Sequence, residues 1–127
     1  LSNGKIHLKR ILIPVDNNPS PYPAIEYAVR TTHLVKHATE ITLLYVGQAS
    51  RMPALNLPER ENITWNQISK EGEVVTEIMN TAQQNSVDLI VMATAGQNGF
   101  LDALRGSITE QGLRKEPCPL LAVPVNE

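Results

Sequence analysis

The chain has 127 residues, 42% of them hydrophobic and 19% charged, with a formal net charge of −2; this is the size of one domain that buries a core, and too apolar for a disordered segment. The Lys/Arg clusters never exceed Lys9-Arg10 and no basic stripe carries interleaved aromatics, which excludes nucleic acid as the main partner. No run approaches the ~20 apolar residues of a membrane span, and a single cysteine, Cys118, allows no intrachain disulfide framework, so a reducing compartment, the cytoplasm, is expected.

Residues 1–8 read as a flexible lead-in to one domain spanning 1–127. Ile11–Val15 is an apolar run of strand length, closed by Asp16-Asn17-Asn18-Pro19. Such a run suits a central parallel strand covered on both faces, and Pro14 implies that its ladder is already failing there. Ser20-Pro21 reads as N-cap and first residue of a helix reaching Lys36, with Ile25, Ala28, Val29, Thr32 and Val35 as one buried stripe. His33 and His37, in or just past its last turn, are expected on the surface.

Ile41–Val46 is the second strand, followed by Gly47, and Ile63–Ile68 a third, more alternating strand suited to a sheet edge. Gly72–Asn85 is a helix with Val75, Ile78, Met79 and Ala82 inward, Leu89–Ala93 the fourth strand, Ser107–Lys115 a short helix, and Leu120–Val125 the last strand. Cys118, between Pro117 and Pro119, reads as a small hydrophobe near the core rather than a reactive thiol. The alternation predicts an α/β fold with an open parallel sheet and helices on both faces.

One crossover is odd. Gly47–Asn62 holds sixteen residues, above the ~10–12 that a crossover with its helix requires, but Pro53 and Pro58 interrupt them and shorten the helix that can form. One or two helical turns fit, near Leu57–Glu61. Met52, Leu55, Leu57 and Trp65 are expected to patch a thinly covered face.

Ligands of open parallel sheets bind beyond the carboxyl ends of the strands where strand order reverses. Two turns there carry chemistry. Asp16 ends the first strand. After the fourth, a small-residue turn Thr94-Ala95-Gly96, nine further residues and Gly106-Ser107 lead into a helix. Glycines permit close approach of backbone, and free N–H groups at a helix start attract phosphate. Ser107 and Glu110 equally form an ordinary capping box, so the residues alone leave anion site and plain helix start both open. Neither a Walker A loop nor a Gly-x-Gly-x-x-Gly fingerprint is present.

Laid out together, these segments resemble the universal stress protein family. Lys9–Asp16 resembles its opening strand, Ile41–Val46 its second, and Gly72 with the following helix its Gly-x-Pro-x-x-x-Ile segment, with Val74 where Pro is usual. Asp88–Thr94, Gly96 and Gly106-Ser107 resemble its signature, and Cys118–Pro124 its closing strand. The resemblance implies a single open five-stranded sheet of order 3-2-1-4-5, Rossmann-like and akin to the adenine nucleotide alpha hydrolases, with the reversal between strands one and four. It implies an ATP site in which Pro14, Val15, Asp16 and Val46 border adenine and ribose. Met92, Ala93, Gly96, Gly106, Ser107, Ile108 and Thr109 would line ribose and phosphates. Two departures stand out: Ala93 replaces the first glycine of the family's nucleotide pattern, and Ala95 the usual histidine.

The resemblance thus implies a regulatory module that binds ATP or a related adenine nucleotide, with Mg²⁺ reached through phosphates, and pairs as a homodimer through Leu120–Val125. The alternative is an interaction protein of the same fold that binds no nucleotide. Asp16 reads as a ribose contact and Asp102 as a solvated carboxylate rather than metal ligands. No nucleophile–base pair is placed, so at most slow ATP hydrolysis is expected.

Overall fold

The computed structural model describes residues 8–35, 37–95 and 118–125. They form β1 (Arg10–Val15), α1 (Tyr22–Thr32), β2 (Thr39–Val46), a 3₁₀ turn (Ala49–Arg51), β3 (Ile63–Lys70), α2 (Val74–Gln84), β4 (Leu89–Ala95) and β5 (Leu120–Val125). All strand pairs are parallel, in the order β3-β2-β1-β4-β5. The expected helix Ser107–Lys115 lies outside the described residues.

Side-chain alternation divides the interior in two. Ile11, Ile13, Val15, Ile41, Leu43, Tyr45 and Val91 face α1, whose Ala24, Ile25, Ala28 and Val29 close that core. Leu12, Leu44 and Ile90 face α2, meeting Ile78 and Ala82 together with the buried Cys118. Ile11, Leu12 and Ile13 are all fully buried, as the unbroken apolar run required.

Helix α1 begins one residue later than its composition suggests. Pro21 occupies the N-cap position, Pro23 sits in the first turn, and Ser20 Oγ accepts from the Tyr22 N–H at 3.4 Å. The helix stops at Thr32 rather than Lys36. Thr31 and Thr32 turn their hydroxyls back to Tyr27 and Val29 carbonyls at 2.9 and 2.6 Å, and the next amides form tighter bonds of i to i−3 type. His33 is exposed as expected. His37 is not: it is half-buried, its Nδ1 meets the Ala38 carbonyl at 3.1 Å, and its buried Nε2 finds no partner among the described residues.

Helix α2 is capped by Glu73, whose carboxylate accepts from the Val75 and Thr76 amides at 2.9 and 3.1 Å and from the Thr76 hydroxyl at 2.7 Å. Val74 is therefore the first helical residue, a position that tolerates proline because its N–H needs no helical partner. The Thr76 hydroxyl first, then the two amides, hold the Glu73 carboxyl below its ordinary 4.5. A lowered folded-state pKa stabilises above the unfolded value and is lost as pH falls through the folded one. The thermal midpoint of wild type is accordingly expected to exceed that of Glu73→Gln at neutral pH, and the gap to close as acid takes the carboxyl below 4.5. A gap independent of pH would place the cap elsewhere.

The crossover departs from expectation in the place of its turn. Its helical residues are Ala49–Arg51, not Leu57–Glu61, and 52–60 run without helix. Pro58 explains this, since proline pushes the preceding Leu57 out of helical geometry. The patching holds: Met52, Leu55, Leu57 and Trp65 all pack on the α1-side core. The Trp65 indole N–H donates to Pro58 O at 2.9 Å, and the Asn56 N–H donates to the Tyr22 hydroxyl at 3.0 Å.

Candidate functional site

Strands β1 and β4 meet at the point where strand order reverses, and they stay together only briefly. At their amino ends Asp88 clamps them: its Oδ2 accepts from the Lys9 and Arg10 amides at 2.9 and 3.0 Å, and its own N–H donates to Arg10 O at 2.8 Å. The ladder then holds for Ile11↔Leu89 and Leu12↔Ile90 and ends. On the other side, β1 stays paired with β2 as far as Val15↔Tyr45.

Pro14 accounts for the asymmetry. Because Arg10 O is bonded on the β4 side, alternation directs the main chain of Leu12 and Pro14 the same way. The N–H that Pro14 lacks is the one β4 would have bonded. The expected loss of ladder at Pro14 is thus correct towards β4, whereas pairing to Leu44 of β2 survives. Across the gap, Ile90 N donates to Pro119 O on the β5 side, so Ala93 presents its N–H and C=O towards β1. Beyond Leu12↔Ile90 the carboxyl ends of β1 and β4 lie outside their mutual ladder.

Strand β4 runs two residues further than expected, since Thr94 and Ala95 pair with Pro124 and Val125 instead of opening a turn. A ladder offered by β5 outweighs the weak turn tendency of two small residues. Continuing the register sets Met92 and Ala93 level with Pro14 and Val15. Val46 lies one step past Tyr45, beside Asp16.

Six of the expected site residues are therefore gathered at the carboxyl ends of β1, β2 and β4. Val15 and Met92 are buried, 6% and 3% exposed. Pro14, Val46 and Ala93 are half-buried and Asp16 is exposed. The Ala93 methyl packs against the α1-side core. Gly96, Gly106, Ser107, Ile108 and Thr109, with Asp102, lie outside the described residues.

Asp16 Oδ1 accepts from the Asn17 N–H at 2.7 Å, and the Asn17 side-chain amide donates to Arg51 O at 3.0 Å. No local pattern in the sequence marks the second contact, which joins residues 34 apart. The described part of the site offers a carboxylate acceptor, apolar walls and main-chain groups. His33 and His37 stand near the amino end of β2, away from it. Among the described residues no cluster of His, Cys, Asp and Glu could hold a metal ion, and no helix is long and apolar enough to cross a membrane.

Comparison with known proteins agrees with the fold. The chain is similar to Universal stress protein MJ0531 of Methanocaldococcus jannaschii, 26% identical over 97% of the chain and 86% of the relative. It is 28% identical to Universal stress protein Sll1654 of Synechocystis sp., over 97% of the chain and 90% of that protein. These alignments run over 152 and 144 positions, more than the 127 residues present, so the relatives carry segments that this chain lacks. Among solved structures, hypothetical protein MJ0577 shares the fold with a TM-score of 0.62 and 23% identity, over 94% of this chain and 98% of that one. A universal stress protein family member from Burkholderia pseudomallei follows with a TM-score of 0.58 and 16% identity, over 92% and 96%. The model of the Universal stress protein family matches residues 56–124, more than half of the 127, and the chain belongs to that family.

Proposed function

We propose that the protein is a regulatory module that binds ATP or a related adenine nucleotide, with its Mg²⁺, at the carboxyl ends of β1 and β4. The observation that carries this reading is the end of the β1–β4 ladder at Leu12↔Ile90, which leaves Pro14 and Ala93 beyond it where strand order reverses. Asp16 stands at its rim as an acceptor for ligand hydroxyl or amino groups. The Gly96…Gly106-Ser107 spacing supplies the phosphate-binding part of the proposal.

Titration calorimetry with ATP and Mg²⁺ tests it. Heat saturating at one nucleotide per chain is expected, lost in Gly106→Val with an unchanged circular dichroism spectrum. No heat at millimolar ATP contradicts the reading. It would favour an interaction protein of the same fold, a role that the alanines at 93 and 95 would suit.

A homodimer through Leu120–Val125 belongs to the same proposal. Among the described residues, strand β5 lies at the sheet edge, bonded to β4 alone. Since Pro119 O faces β4, alternation turns the main chain of Leu120, Ala122 and Pro124 outward. Pro124 removes one of those three donors, so the pairing is short and centres on Leu120 and Ala122. Sedimentation at tens of micromolar is expected to give twice the 14.0 kDa chain mass. A monomer alone at that concentration contradicts the dimer.

A further inference from the structure

We infer that Asn17 is a positioning residue of the proposed nucleotide site, fixing the Asp16 carboxylate and tying it to the shortened crossover. This rests on the nucleotide reading above. Asp16 follows the last residue of β1 and is exposed, so nothing in the strand itself fixes its side chain. The Asn17 N–H takes Oδ1 at 2.7 Å, which leaves Oδ2 as the acceptor available to a ligand. Asn17 is held in turn, because its side-chain amide donates to the carbonyl of Arg51, the last residue of the 3₁₀ turn.

That carbonyl belongs to a well-anchored segment. Met52, Leu55 and Leu57 sink into the α1-side core directly after it. The Asn56 N–H is bonded to the Tyr22 hydroxyl, and Tyr22 is the first residue of α1. The loop after β1 is thus tied through one side chain to a strap fixed at several points. A contact this exposed adds little to global stability. Its effect is to narrow the positions Asp16 adopts, and preorganising an acceptor is what tightens binding. By the same linkage, a ligand on Asp16 orders the strap.

Asn17→Ala tests this, since it keeps the main-chain N–H and removes only the tether. Without nucleotide, amide exchange at residue 17 is expected to quicken at least about fivefold. The carbon resonance of the Asp16 carboxyl should move, while the thermal midpoint stays within about 2 °C of wild type. The dissociation constant for ATP, measured by calorimetry, should rise about threefold to tenfold, the scale of one hydrogen bond. Unchanged exchange and an unmoved Asp16 resonance would overturn the tether. A loosened loop with ATP affinity within about twofold of wild type would overturn the positioning role alone. A wild type that binds no nucleotide would overturn the functional reading and the positioning role with it.

Discussion

Ile13→Ala is expected to lower the unfolding free energy by about 3 kcal/mol, and the thermal midpoint by about 10 °C. Ile13 has no exposed surface, sits on the central strand opposite Leu43 and belongs to the core closed by Ile25, Ala28 and Val29 of α1. Removing three carbons there forfeits their transfer energy and opens a cavity. The ladder to β2 holds the backbone in register, so the neighbours cannot close over the space. Urea unfolding followed by circular dichroism measures the loss, with an unchanged dependence on denaturant. A loss below about 1 kcal/mol would mean that α1 does not seal this face of β1.

Gly47→Ala is the second large effect, expected at about 2 kcal/mol. Gly47 follows β2 at φ +157°, a conformation that side chains resist, and its amide donates to Lys70 O at 2.8 Å, so the backbone has little room to relax. A β-carbon there would lie 2.8 Å from Cε2 and 2.9 Å from the hydroxyl oxygen of Tyr45. Tyr45 is itself core, only 8% exposed, and stands beside Val46 at the rim of the proposed site. The substitution therefore both strains the chain and pushes an anchored ring. A double-mutant cycle separates the two causes: in a Tyr45→Leu background the steric part vanishes and the conformational part remains. A neutral Gly47→Ala, within about 0.5 kcal/mol of wild type, would contradict the close packing of the ring on this turn.

What was legible in the sequence was whatever depends on period and length. Ile11–Val15 and Leu89–Ala93 carry the buried parallel strands as unbroken apolar runs. The stripe Val75, Ile78, Met79 and Ala82 sets α2 on its face with no exception. The order of strands came from the family resemblance, and the pairing of β1 with both β2 and β4 agrees with it.

What was not legible depends on which neighbour a main-chain group meets. Pro14 could be read as harmful to a ladder, but only the direction of the chain shows that it spares β2 and opens the β4 side. Thr94 and Ala95 carry no strong strand preference, and they extend β4 because Pro124 and Val125 lie alongside. Asn17 sits in a run of turn residues whose composition is explained by the turn itself, so its distant partner leaves no trace in the sequence. The burial of His37 likewise has no periodic signature.

The central claim is that nucleotide enters the opening between β1 and β4 at their carboxyl ends. Adding ATP and Mg²⁺ to isotopically labelled protein and following amide resonances tests this most directly. Shifts are expected at Val15, Asp16, Val46, Met92 and Ala93, with Arg10, Thr39 and Asp88 at the opposite end of the sheet unmoved. Shifts confined to that opposite end, or none at millimolar ATP, would contradict the account.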